Sequence, residues 1–112
     1  MEIINLATRK QVEVLLNGRE CVISFSVNNI EHFQNTNKIS MNDAVNEMKN
    51  GNLSMILKLI YSMVSDKKTG RILGSKFFKE YDEMNIIQAL SPTIMELIGE
   101  EMPKAKTENE KK

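Results

Sequence analysis

Along residues 11–25 apolar and polar positions alternate with a period of two, "QVEVLL" and then "RECVISF", interrupted by Asn17–Gly18. An Asn-Gly pair between two alternating runs is a strong hairpin signal, because a type I′ turn needs positive φ at both central residues. With those two as the loop, Leu16 faces Arg19, Val14 faces Cys21 and Val12 faces Ile23. Val12, Val14, Leu16, Cys21, Ile23 and Phe25 then share one apolar face, which must be buried against something. Glu13, Leu15, Glu20, Val22 and Ser24 make a mixed outer face. Residues 1–10 could add a third strand through Ile3, Ile4 and Leu6.

After Phe25 the period lengthens to that of a helix. Val27, Ile30 and Phe33 are spaced for one face, with Ser26 or Asn28 available as a cap. "NTNK" breaks the run. Ser40 precedes "MNDAVNEMKNG", whose Asp43 and Gly51 mark a start and a stop, with Met41, Ala44, Val45 and Met48 on the buried side. "NLSMILKLIYSMVS", residues 52–65, is predicted as the central helix. Leu53, Ile56, Leu57, Ile60, Tyr61 and Val64 follow one stripe, and Met55, Leu59 and Met63 form a second row beside it. Its polar residues Ser54, Lys58, Ser62 and Ser65 cover only roughly 80–100° of the circumference. A helix this apolar must be surrounded, and the hairpin's apolar face is the expected floor.

"DKKTGRILGS" is a loop. Ser75 starts a short amphipathic piece anchored by Phe77, Phe78 and Tyr81. Ile86, Ile87, Leu90, Ile94, Leu97 and Ile98 then keep one stripe across Pro92. That proline removes a hydrogen bond to the Gln88 carbonyl, so the segment is one kinked helix or two helices with Ser91 as the second cap. We favour one helix, because the stripe stays in phase. The pattern describes an α+β protein, mainly α: an N-terminal hairpin (residues 11–26) packed on a small bundle of four to five helices (27–103), one globular domain over 1–103. Residues 104–112 offer too little apolar surface to offset their ordering entropy and are expected to be a disordered tail.

Composition narrows the function. At 112 residues, 41% apolar and 27% charged, the chain has the balance of a globular protein. Lys plus Arg equals Asp plus Glu at 15 each, so the net charge is zero. A phosphate-neutralising basic face is not expected, which argues against nucleic acid as a partner. No apolar run is long enough to span a membrane and the N-terminus lacks a signal-peptide core, so a cytoplasmic location is expected. Cys21, the single cysteine, reads as a small buried hydrophobe.

No enzymatic signature emerges. His32 has no Ser, Cys or Asp in a triad pattern around it, one Cys and one His cannot build a structural zinc site, and "GRILG" lacks the spacing of a P-loop. Neither a catalytic residue nor a cofactor is expected. The eight methionines carry more information. Either they fill the core, or the row Met55, Leu59 and Met63 extends beyond what a small core can cover and leaves a groove for a partner segment.

The order of elements over residues 11–103 resembles the tail assembly chaperones of long-tailed bacteriophages and prophages. A hairpin "VEVLLNGRECVISFSVNNIEHF" leads into "MNDAVNEMKNG", then a long apolar helix "LSMILKLIYSMVS", a short "SKFFKEYDE" element and a final helix ending "GEEMP". The resemblance implies a non-enzymatic protein made in the infected cell, absent from the mature virion. It implies binding to the tape measure protein and recruitment of tail tube subunits, with self-association into a homo-oligomer an open option. It also implies, in many such phages, a longer frameshifted form, which the lysine-rich ending "EKK" fits. An alternative is a small phage or prophage regulatory adaptor that binds a host or replication protein.

Overall fold

A computed structural model describes residues 1–101, with the side chains of Glu100 and Glu101 left aside. Strands β1 (Gln11–Leu16) and β2 (Arg19–Ser24) form the hairpin in the expected register, Leu16 opposite Arg19, Val14 opposite Cys21 and Val12 opposite Ile23. The turn has positive φ at both Asn17 (50°) and Gly18 (86°), as the type I′ geometry demands. Cys21, Ile23 and Phe25 are buried, whereas Val12 lies at the rim. The apolar face is thus sealed along β2 and frays towards β1.

Four helices match the predicted pattern closely. Helix α1 (Val27–Asn37) is capped by Ser26, and α2 (Met41–Lys49) by Ser40, which accepts from the Asp43 N–H. The buried side of α2 is Met41, Ala44, Val45 and Met48, as its spacing predicts. Helix α4 (Gly74–Phe78) buries Phe78 and leaves Phe77 partly covered and Tyr81, just beyond it, at the surface. Helix α5 (Glu83–Glu101) is one helix with Pro92 inside it, and Ile86, Ile87, Leu90, Ile94, Leu97 and Ile98 form its buried stripe. Its start is fixed by Asp82, whose carboxylate accepts from the Asn85 N–H at 2.9 Å.

The segment 52–65 departs from expectation. Helix α3 runs only from Leu53 to Met63, and Val64–Asp66 forms strand β3. β3 pairs antiparallel with β2, Val64 opposite Ile23, so β2 is the middle strand of a three-stranded sheet. Helical periodicity ran through Val64, but the open edge of β2 supplied hydrogen-bond partners that another half-turn of helix could not. The third strand therefore comes from after α3 and not from residues 1–10. Those ten residues have no regular structure and are exposed throughout.

The architecture is α+β, mainly α: three antiparallel strands and five helices among the described residues. One buried cluster runs from Cys21 to Ile98. Helix α3 occupies its middle, in contact with α1, α2, α4 and α5, while β2 leans chiefly on α5. The floor beneath the sheet is therefore α5 more than the central helix. The expected disordered tail, residues 104–112, lies outside the described residues.

Candidate partner-binding surfaces

The row Met55, Leu59 and Met63 is core. Their exposures are 9%, 0% and 0%, so the expected groove does not exist at this place. Helices on four sides and the strand at its end leave α3 little free surface. What α3 does expose is Leu53 together with Ser54 and Lys58, so the buried arc is rotated towards the methionines from the stripe that starts at Leu53. Two equally spaced apolar rows cannot be ranked by period alone, and the positions of the neighbours decided between them.

The rotation also buries Ser62, which the spacing had placed on the polar arc. Its burial is possible because Asn29, 2% exposed, reaches across from α1. The Asn29 Nδ2 donates to the Ser62 carbonyl at 2.8 Å, satisfying an acceptor in the last turn of α3 that has no helical partner. Its Oδ1 accepts from Ser24 Oγ at 2.8 Å and from the Ser26 N–H at 3.0 Å. Ser26 Oγ lies 2.6 Å from the same oxygen and accepts from the Asn29 N–H at 3.3 Å. His32 Nδ1 sits 3.1 Å from Ser62 Oγ. This polar hub ties the end of β2, the start of α1 and the end of α3 together. The only sequence sign of it was a polar residue three positions after a capping serine, where a capping box is completed.

Nothing in this hub is arranged for covalent chemistry. Ser62 is closed off from solvent, and the acceptor and donor roles of Asn29 are consumed by structure. Burial pushes the Cys21 thiol up from its ordinary pKa, partly countered by the Arg19 charge, so it stays protonated and unreactive. Among the described residues no group of three or more His, Cys, Asp or Glu side chains could hold a metal ion. None of their helices is long and apolar enough to cross a membrane.

Apolar surface is instead displayed in two other places. Ile3, Ile4 and Leu6 on the N-terminal arm are 85%, 73% and 88% exposed. The root of that arm and the outer face of the sheet bound an open trough of about 1210 Å³, with Glu13 and Val22 on its sheet side and Val27 at the start of α1. Leu15, on the same outer face, is also exposed. A Glu13–Lys67 ion pair of 3.2 Å crosses this face from β1 to the residue after β3. The second place is the outer side of α5, where Met84 and Met95 are 48% and 43% exposed. Eleven residues apart, they lie within about 20° of each other around the helix.

A third feature is charged. Arg19 Nε donates to Asp66 Oδ1 at 3.0 Å, while the Lys68 and Thr69 N–H groups donate to Asp66 Oδ2. The bond from the Thr69 N–H first, and then that from Arg19, hold the Asp66 carboxyl down at a pKa of about 2. The Arg19 guanidinium lies 5.4 Å above the Phe77 ring. The chain matches no protein-family model, no curated protein and no solved structure.

Proposed function

We propose that the protein is a non-enzymatic tail assembly chaperone of a long-tailed bacteriophage or prophage. In this reading it works in the cytoplasm of the bacterial host, holds the tape measure protein before a tube surrounds it, and helps recruit tail tube subunits. What carries the reading is the apolar arm: Ile3, Ile4 and Leu6 stand in solvent beside an open trough on the sheet. An exposed apolar segment on an otherwise charge-balanced chain is the mark of a surface that is covered by something. The order of hairpin, short helix, central apolar helix and long final helix supports the same reading.

The physical logic follows from what a tape measure protein must be. A long helix, apolar along one side, aggregates unless that side is covered. An arm closing over such a helix in the trough would bury three large aliphatic side chains, each worth about 1.5–3 kcal/mol gross. Ordering the arm opposes that gain, so the partner's own apolar stripe must supply the rest, the net affinity is modest and displacement by tube subunits is feasible. The binding surface in this reading is the arm and trough, not the buried row Met55, Leu59 and Met63.

Co-expression with the product of a very long neighbouring reading frame tests the proposal. The wild type should keep that protein soluble and co-purify with it. An Ile3→Asp, Ile4→Asp, Leu6→Asp variant should melt like the wild type and leave the partner insoluble. A variant that protects the partner as well as the wild type would remove the arm from the reading. Failure of the wild type to bind would remove the reading itself.

A further inference from the structure

We propose that the cleft between the β3–α4 connection and the hairpin turn end of β2 binds an acidic peptide segment of a protein partner, seating an apolar side chain on the wall of Ile72, Leu73 and Phe77 between flanking carboxylates. The cleft has a volume of about 500 Å³, with Ile72, Leu73 and Phe77 as apolar lining and Arg19, Arg71 and Lys76 as its cations. It meets the trough at Asp66, which lines both, and its charge stands whether or not the tape-measure reading is right.

The cleft is built by local structure. Asp66 N–H donates to the Arg71 carbonyl at 2.8 Å and Leu73 N–H to the Val64 carbonyl at 2.9 Å, while Ser65 bridges Ile72. The chain thus doubles back on β3, which places Arg71 beside α4. On α4, Phe77 is held edge-on by Phe78, centroids 5.0 Å apart at 90°, and by Tyr81 at 5.8 Å. Phe77 thus carries the Arg19 guanidinium over its ring, and Ile72 and Leu73 line the cleft beside it.

Charge selects the occupant. Asp66 is the one carboxylate in the lining, and both its oxygens are engaged by Arg19 and the turn N–H groups. It stays ionised at neutral pH and offsets Arg19. Arg71 and Lys76 have no ion-pair partner among the described residues. The cleft is therefore left with an excess of two positive charges on a chain whose net charge is zero. Paired carboxylates complement it, Arg71 being suited to bidentate contact. The apolar lining distinguishes a peptide from a bare anion, and two unpaired cations are too few to track a nucleic-acid backbone.

The test is a titration of the full chain, followed by amide NMR, with an acetylated and amidated pentapeptide of sequence EDFDE. Perturbations should cluster at Arg19, Arg71, Lys76 and Phe77 and weaken as salt is raised. The uncharged peptide QNFNQ should bind at least about ten-fold more weakly. Arg71→Glu with Lys76→Glu should reverse the preference towards KKFKK. Should that variant fail to fold, Arg71→Gln with Lys76→Gln should still lose about ten-fold in affinity for EDFDE. Equal binding of QNFNQ, perturbations elsewhere, or no perturbation would overturn the proposal. So would inorganic phosphate or a dT oligonucleotide perturbing the same amides as strongly as EDFDE, since the cleft would then read anions and not a peptide.

Discussion

Helices α3 and α5 lie against each other, and each carries two methionines outside its best apolar stripe. On α3, Met55 and Met63 are inside the core; on α5, Met84 and Met95 are half-exposed. The residue type is the same and the surroundings differ. α5 has one covered side, facing α3 and β2, so its stripe is its only buried arc. α3 is covered by four helices, so a second row beside the stripe is buried too, and adaptable side chains fill what the stripe leaves. Methionine content reports neither core nor groove; the number of covering neighbours does.

Putting charges into the two pairs is the sharpest way to break this comparison. Met55→Lys with Met63→Lys should destabilise by more than about 4 kcal/mol, since two ammonium groups would be buried without partners. Loss of the cooperative thermal transition by circular dichroism is the expected readout. A wild-type melt would mean that α3 has a free side after all.

The next largest effect concerns what rotates α3 into place. Asn29→Ala would strand the Ser62 carbonyl and the hydroxyl of Ser24 in the interior. A loss of about 2–3 kcal/mol is expected from the urea midpoint at unchanged slope. If Asn29→Ala is neutral, the hub is incidental and packing alone orients the helix.

Acid should act on the exposed counterpart of that hub, the Arg19–Asp66 cluster. The folded-state pKa of Asp66 is lowered from 3.8 to about 2, so its carboxylate favours the folded form wherever it is ionised. That contribution is fully present above about pH 4 and is lost as the pH falls through about 2. Asp66→Asn should flatten the stability–pH profile across this window. An unchanged profile would show that the bonds to Asp66 do not outlast solvent screening.

The smallest effect is expected on α5. Met84→Lys with Met95→Lys should stay within about 0.5 kcal/mol of the wild type in the same urea experiment. A large loss would mean that these side chains are covered by a second copy.

Much of this could be read from local rules. The Asn17–Gly18 turn set the register because a one-residue slip would have turned Cys21 and Ile23 to water. The stripe from Ile86 to Ile98 survived Pro92 because the apolar positions stay in phase on both sides of it. The capping serines Ser26 and Ser40 were legible for the same reason, as their oxygens serve backbone groups only three residues away. The partner-binding row was misplaced because periodicity names the rows of a helix and not their neighbours. The cleft escaped notice because Arg19 and Arg71 are far apart in the chain and meet only through the sheet.

Hairpin, helix spacing, caps and the mainly-α class therefore follow from the chain alone: each depends on residues within one turn or one strand pair, where the chain is its own neighbour. Tertiary structure alone decided that Val64–Asp66 leaves the helix for the sheet, that Ser62 is buried with Asn29, and that Met55, Leu59 and Met63 are core. In each case a distant backbone edge, amide or helix face offered a competing partner. A local pattern carries no term for a partner 30 or more residues away.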